Sequence, residues 1–357
     1  MKLLKTIPLF LFIAINLLVI VAMNFCAYTS TLPPQDHPTL SYYGLMFPAF
    51  LVVDVFFVVF WLIFKWKVAA LPLAGMLLCV SSVRAYFPLN VSATPPEGSI
   101  KILSYNVMAF GKGSEQDWES NPILNYMMES GADIACLQEA NKAIIDRAMD
   151  RIVEVYPYHS LELRSDNYML CFSKFPICHV EMIDYPTRSN YSFVYTVLVG
   201  GDTLWVINNH LESYRLSDED KADYKSIIKN YKHPERNDSE TKYLGLVDKL
   251  AYHDSIRGYQ VDSVAKFVEQ HAGQYVIACG DFNASPISYP HHRMTEPLND
   301  AYTRSGNGAG VSYNRSGMYF RLDHIFVSPN ITPYAAKVDK TIKESDHYPI
   351  SCFVKFN

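Results

Sequence analysis

Residues 278–286 read ACGDFNASP, and the run leading into them, QYVIACG (274–280), is made almost wholly of small and apolar residues. Such a run reads as a buried strand. It delivers Asp281 and Asn283, two positions apart, into a turn that Pro286 stops. The two side chains differ in hydrogen-bonding character: an ionised carboxylate only accepts, whereas an amide nitrogen donates. Activating a nucleophile beside the anionic group it attacks needs both characters within a few ångströms. LDHIFVS (322–328) and SDHYPI (345–350) repeat the pattern of a polar pair at the edge of an apolar run.

Outward from this stretch, strand-like and helix-like segments alternate from Ser99 to the C-terminus. KILSYNVMAF (101–110) reads as a strand that turns polar at Asn106, and DIACLQEA (133–140) as a buried strand ending in Gln138 and Glu139. NPILNYMMESG (121–131) between them has the marks of a helix, with Asn121 as cap, Pro122 in the first turn and Gly131 as stop. YTVLVGGDTLWVI (195–207) carries a Gly-Gly-Asp hairpin signal, and its second strand runs on to His210. SDEDKADYKSIIKNY (217–231) and the stretch from Ser239 to Gly273 read as helices. Several connections are too short for the helical crossovers of a doubly wound parallel sheet. The pattern therefore predicts an α/β (α+β) domain of two packed sheets.

Eight polar residues close or flank these strands: Asn106, Glu139, His210, Asp281, Asn283, Asp323, Asp346 and His347. Each alone is an ordinary turn former, surface acid or structural histidine. As a set they can share one cleft, because strand ends at one side of a sheet converge.

This set, in this order, resembles the endonuclease/exonuclease/phosphatase superfamily, which includes DNase I-like nucleases, apurinic endonucleases, neutral sphingomyelinases and inositol-polyphosphate 5-phosphatases. The resemblance spans most of residues 99–357, and Gly-Asp-Phe-Asn with Ser-Asp-His-x-Pro are its specific motifs. It implies a four-layer αββα sandwich of two mixed sheets. It also implies a Mg²⁺-dependent hydrolase, with Mn²⁺ as the alternative ion, cleaving a phosphodiester or phosphomonoester by metal-assisted attack of water. Glu139, Asn106 and Asp346 are then candidate metal ligands, in keeping with the preference of a hard cation for oxygen. Asp281 would orient or deprotonate water, Asn283 would donate to phosphate, and His210 would stabilise phosphoryl oxygens or protonate the leaving group. His347 would contact the scissile phosphate or act as base, with Asp323 orienting its ring. Which of Asp281 and His347 takes the proton stays open. Arg257 and Gln260 in SIRGYQ (255–260), and Asn167 in NYMLCFSKFPI (167–177), are candidate substrate contacts by position. GDFNASP lacks the Gly-Asp-Leu-Asn-x-Ala-His of apurinic endonucleases, which disfavours DNA repair.

The first 88 residues lie outside that resemblance. Segments 7–25, 42–64 and 68–86 are apolar and each approaches the length needed to cross a bilayer, predicting a three-span region at 1–88, a linker at 89–98 and a catalytic domain at 99–357. Lys2, Lys5, Lys65 and Lys67 flank the first two spans, while the loop around residues 33–38 has no Lys or Arg. With three spans the positive-inside rule makes this an integral membrane protein with an extracytoplasmic catalytic domain. Two spans would leave that domain inside the cell, and the first segment, with Lys2 and Lys5 before it, has a signal peptide as its other reading. Asp54, inside LVVDVFFVV (51–59), reads as a residue facing a neighbouring span.

Five basic and two acidic residues fall in the first 88, so the remainder carries a formal net charge of −8. That balance argues against tight nonspecific nucleic-acid binding. Seven cysteines without a CxxC pair argue against a disulfide framework or zinc site. The expected partner is a phosphate ester, with a phospholipid head group or small phosphorylated molecule favoured over nucleic acid, acted on by a monomeric catalytic domain. An extracytoplasmic nuclease and an inactive membrane-anchored binding module are the alternatives.

Overall fold

The structure, a computed structural model, describes all residues except 1, 112–114, 165–166, 188–189, 218, 221, 223–235 and 316–317. The helix expected at 217–231 lies largely outside the described residues.

Four helices open the chain: α1 (Lys2–Thr29), α2 (Phe47–Phe64), α3 (Ala70–Leu78) and α4 (Val80–Tyr86). The first two are long and apolar enough to cross a membrane. They expose Leu18, Val21, Phe56 and Ile63, side chains suited to lipid rather than water. The third expected span is not one straight helix. Cys79 leaves the helical conformation, and the axes of Trp66–Leu78 and Val80–Tyr86 differ by 77°. Asp54 is fully buried and faces a neighbouring span, accepting a 3.0 Å hydrogen bond from Asn16 Nδ2. Trp61 Nε1 in turn donates to Asn16 Oδ1 at 3.0 Å, so one polar relay joins α1 to α2.

The helical region has two distinct ends. Phe57, Trp61 and Ala69 pack with Leu9 and Ile13, which places the start of α1 beside the turn carrying Lys65 and Lys67. At the other end Met23, Cys26, Phe47 and Cys79 pack with Ile287 of the domain that follows residue 99. Gly44, in the 3-10 turn Ser41–Met46, lies so close to the Ile287 carbonyl that a Cβ would overlap it. Gln35 Nε2 donates to Asp262 at 2.8 Å, Ser255 Oγ donates to the Pro34 carbonyl at 3.0 Å, and Arg321 donates to the Ala85 carbonyl. Between the two regions, Asn90 Nδ2 donates to the carbonyls of Thr303 and Gly306.

The domain that follows begins with β1 (Ile100–Asn106), α5 (Pro122–Glu129), β2 (Ile134–Ala140) and α6 (Lys142–Val155). Asn121 caps α5, accepting from the Ile123 and Leu124 amides, as its sequence predicted. There follow β3 (Tyr158–Arg164), β4 (Asn167–Ser173), β5 (Ile177–Met182), β6 (Ser192–Val199) and β7 (Asp202–His210). The long helix α7 (Arg236–Gln270) leads to β8 (Tyr275–Asp281), α8 (Tyr289–Thr295), β9 (Asn299–Asp300) and α9 (Ala301–Ser305). The hairpin β10 (Tyr313–Arg315) and β11 (Met318–Phe320) precedes β12 (Asp323–Val327), β13 (Ile331–Val338) and β14 (Ile350–Phe356).

One six-stranded sheet has the order β13–β14–β1–β2–β4–β3, the other β5–β6–β7–β8–β12–β9. Both are mixed, as the family resemblance implied. Ile102, Ile134, Cys171, Tyr195, Val206, Ile277 and Cys352 fill the space between them. On one outer face, Ile123, Leu124, Ile144 and Ile152 of α5 and α6 cover Tyr105 and Leu137. On the other, Val261, Val264 and Val268 of α7, with Met294 of α8, cover Ile207 and Ala278. The result is a four-layer αββα sandwich. All seven cysteines are free.

Candidate active site

Sheet topology brings the polar strand ends together. β1 and β2 are parallel in one sheet, and β7 and β8 in the other, so Asn106, Glu139, His210 and Asp281 leave at the same edge. β12 runs antiparallel to β8 with Asp323 opposite Asp281, and β14 antiparallel to β1 with Ile350 opposite Ser104. Asp323 begins its strand at that edge, and Asp346 and His347 sit just before theirs.

The tightest contact in the cleft is His347 Nδ1 to Asp323 Oδ2, at 2.7 Å. The carboxylate accepts a hydrogen bond from Nδ1–H and so fixes the ring, turning Nε2 towards Asp281 Oδ2 at 3.5 Å. Burial would lower the His347 imidazole, but the Asp323 and Asp281 carboxylates outweigh it and push it up to about 10. Burial raises the Asp281 carboxyl, and Asp323 adds to this, while His347 and His210 pull the other way. Tyr313 lies edge-on to the His347 ring, 5.1 Å between centroids.

Glu139 leaves its strand at a register shift between Leu137 and Ala140, where its φ is +55°. A left-handed backbone at a bulge re-aims the side chain and stores strain that the surroundings must hold. The carboxylate stays partly open to the cleft and accepts from Asn106 Nδ2 at 3.0 Å. Asn106 Nδ2 also donates to Asp281 Oδ2 at 3.1 Å, so one amide bridges the two acids. His210 Nε2 faces Glu139 at 3.4 Å and Asp281 at 4.0 Å. Asp281 Oδ1 accepts from the Asn283 backbone amide at 2.8 Å, with Asn283 at φ +48°. Gly280 before it has φ +135°, and a Cβ there would overlap the Asn209 backbone, so only glycine permits this approach of β8 to β7.

Asn283 and Asp346 line the same cleft as Glu139, Asp281 and His347. Asn283 Nδ2 donates to the Leu211 carbonyl at 3.0 Å, which ties the turn to β7. Asp346 Oδ2 lies 3.3 Å from Arg315 Nη1. Asn167 opens β4 beside Tyr168, which pairs with Ala140 at the end of β2; its side chain lies outside the described residues.

Arg257 is not brought into the cleft. It is fully buried, donates from Nε to the Glu212 carbonyl at 2.8 Å and from Nη1 to Asp254 at 2.7 Å, and lies over the Tyr214 ring. Gln260 Oε1 accepts from the Glu212 amide at 2.8 Å. The pair clamps the Glu212 peptide from both sides, two residues beyond His210. Arg257 is not among the residues that line the cleft, and these bonds hold its guanidinium behind the His210–Glu212 segment, where Nη2 has no partner among the described residues.

Three buried residues carried no assigned role in the sequence reading. Gln138 Nε2 donates to Asn208 Oδ1 at 2.6 Å and to Ser104 Oγ at 3.2 Å, crossing between the sheets beneath the site. Asn208 Nδ2 returns two 3.1 Å bonds to the carbonyls of Leu137 and Leu170. Ser345 Oγ donates to the Asn106 carbonyl at 2.7 Å and accepts from the His347 amide at 3.2 Å. The signal for each lay next to a residue already chosen: Gln138 before Glu139, Asn208 before His210, and Ser345 before Asp346.

The sequence model of the Endonuclease/Exonuclease/phosphatase family matches residues 103–347, more than half of the chain. The chain belongs to this family. Residues 9–86 match a separate model, described as a domain of unknown function (DUF8431). No curated protein matches the chain. Among solved structures, the family fold recurs in a humanized D. rerio TDP2, with TM-score 0.53, 17% identity, and 72% of this chain and 99% of that one covered. The human Nocturnin catalytic domain with bound sulfate anion gives TM-score 0.51 and 17% identity over 72% of this chain and 94% of that one. An endonuclease/exonuclease/phosphatase from Bacteroides vulgatus gives 0.51 and 14% over 73% and 100%. At these identities the likeness is one of fold.

Proposed function

We propose that the protein is a membrane-anchored, divalent-metal-dependent phosphoesterase that hydrolyses a phosphodiester or phosphomonoester, with a lipid head group or small phosphorylated molecule as substrate. The observation that carries this reading is the Asp323–His347 pair facing Asp281 across 3.5 Å, with Glu139, Asn106 and His210 gathered round the same carboxylate.

The donor set fits a hard cation. The cleft offers the carboxylates of Glu139 and Asp346, and no cysteine lines it among the described residues. Asn106 turns its amide nitrogen to Glu139 and Asp281 and its oxygen to the Met108 amide, so it would join an ion's ligands by rotating its amide to present that oxygen. Asp281, Asp323 and His347 also lie close enough to share an ion, but His347 is already bonded to Asp323. Glu139, Asn106 and Asp346 are therefore the better holders of Mg²⁺, or of Mn²⁺ in its place. The ion supplies charge neutralisation at the phosphoryl oxygens.

The protein groups divide the remaining work. Asp281, raised by burial, accepts the proton of the attacking water. His347, held as a cation by Asp323 and Asp281, directs Nε2 at the phosphoryl group. His210 stabilises a phosphoryl oxygen or returns a proton to the leaving oxygen. Asn283, whose amide nitrogen carries two donors, keeps one for phosphate beyond its bond to Leu211. A new P–O bond to water forms as the ester P–O bond breaks.

A panel of bis-p-nitrophenyl phosphate, phospholipid, nucleotide and plasmid DNA, run with Mg²⁺ and with EDTA, tests the reading. Turnover of the chromogenic diester that EDTA abolishes and Mg²⁺ restores is the expected result. Cleavage of DNA alone would transfer the assignment to a nuclease, and no turnover of any member would leave only a binding module.

We also propose that the catalytic domain is extracytoplasmic. Lys65, Lys67 and the start of α1 share the end of the helical region remote from the catalytic domain, in keeping with the positive-inside rule. The bent α3–α4 pair brings the chain back to the catalytic side. Alkaline phosphatase fused after Asn357 should be active in cells and a green fluorescent protein fusion dark; the reverse pattern refutes this orientation.

A further inference from the structure

We propose that the cleft takes a phosphate ester carrying a hydrocarbon tail, and that Tyr42, Leu45 and Met46 of the membrane segment form part of the wall along which the tail lies. The inference rests on the phosphoesterase reading above and specifies its substrate class.

The cleft has a volume of about 480 Å³, within the range of small-molecule sites. Its lining has two chemical parts. Glu139, Asp281, Asp346 and His347, with Ser213 and Arg215, are polar, whereas Leu250 of α7, Phe320 of β11 and Leu322 form an apolar set together with Tyr42, Leu45 and Met46. A wholly polar ester would set its hydroxyls against this second surface without partners, at a cost that an alkyl chain does not incur. An amphiphilic ester satisfies both parts at once.

The position of the wall argues for the same occupant. Tyr42, Leu45 and Met46 belong to the 3-10 turn Ser41–Met46, and α2 begins at the next residue, Phe47. Met46 remains 45% exposed beside the cleft. The Gly44–Ile287 contact seats this turn on the loop that follows Asn283. The apolar lining is thus continuous with the surface of a helix long and apolar enough to cross a membrane. A tail can reach the cleft along that surface without passing through water.

Methyl and octyl p-nitrophenyl phosphodiesters, below micelle-forming concentrations, separate the possibilities with the full chain in lipid nanodiscs and Mg²⁺. The expected result is a kcat/KM about 100-fold higher for the octyl ester, since burial of even part of the added methylenes multiplies affinity several-fold each. That preference should fall to about 10-fold or less in Leu45→Ser/Met46→Ser, and in Leu250→Ser on the catalytic-domain side. The second variant covers the case in which the first fails to fold. Equal turnover of both esters by the unaltered chain overturns the inference while leaving the phosphoesterase reading intact. A preference unchanged in both variants traces to partition into the bilayer and also overturns it. No turnover of either ester removes the phosphoesterase reading, and this inference with it.

Discussion

Glu139→Gln is expected to lower Mg²⁺-dependent turnover of bis-p-nitrophenyl phosphate by about 10³-fold. The substitution keeps the size of the side chain and removes its charge. Because Glu139 is open to the cleft at the end of its strand, the thermal midpoint should stay close to that of the unaltered protein. The Mg²⁺ concentration for half-maximal activity should rise, since a carboxylate ligand has been replaced by an amide. Steady-state kinetics over a Mg²⁺ titration provide both numbers. A rate within about tenfold of the original, at an unchanged Mg²⁺ midpoint, would remove Glu139 from the ligand set.

Asp323→Asn is expected to cost about 10³- to 10⁴-fold in kcat, the loss seen when an orienting carboxylate is removed from a catalytic histidine. Asp323 shares its Oδ2 with His347 Nδ1, and its Oδ1 has no hydrogen-bond partner among the described residues. An amide in its place no longer holds the imidazole as a cation. The alkaline limb of the pH–rate profile should therefore move to lower pH, because one of the charges raising His347 is gone. A purely structural role would lower the melting temperature and leave the profile in place. His347→Ala should lose as much activity as Asp323→Asn, and the double variant little more, as groups acting as one unit do. Additive losses would separate the two residues.

The strand-end residues were legible in the sequence because a change from apolar to polar marks where a strand meets the surface. Asn106, Glu139, His210, Asp281, Asp323 and His347 all carry that mark, and the topology places them on one edge. Arg257 carried no such mark. On a helix the direction of a long side chain depends on what packs beside it, and here Glu212, Asp254 and Tyr214 capture the guanidinium. Asn208 and Gln138 drew no role for a different reason. They stand one or two positions before the strand-end residues Glu139 and His210, yet both point between the sheets rather than into the cleft. The break at Cys79 falls within a continuous apolar stretch, so composition alone gave no sign of it. The seat of the 3-10 turn on the loop after Asn283 depends on a contact between residues 44 and 287, a distance that periodicity cannot bridge.

That seat has a kinetic meaning. Glycine at 44 lets two backbones meet with nothing interposed, so the turn before α2 sits directly on the loop that follows Asn283. With α1 and α2 in a bilayer as proposed, the reacting groups ride at a constant height above the lipid, without the slack of a flexible tether. Encounter then becomes a lateral search in two dimensions, and the rate follows how densely substrate populates the surface rather than its amount in the surrounding volume.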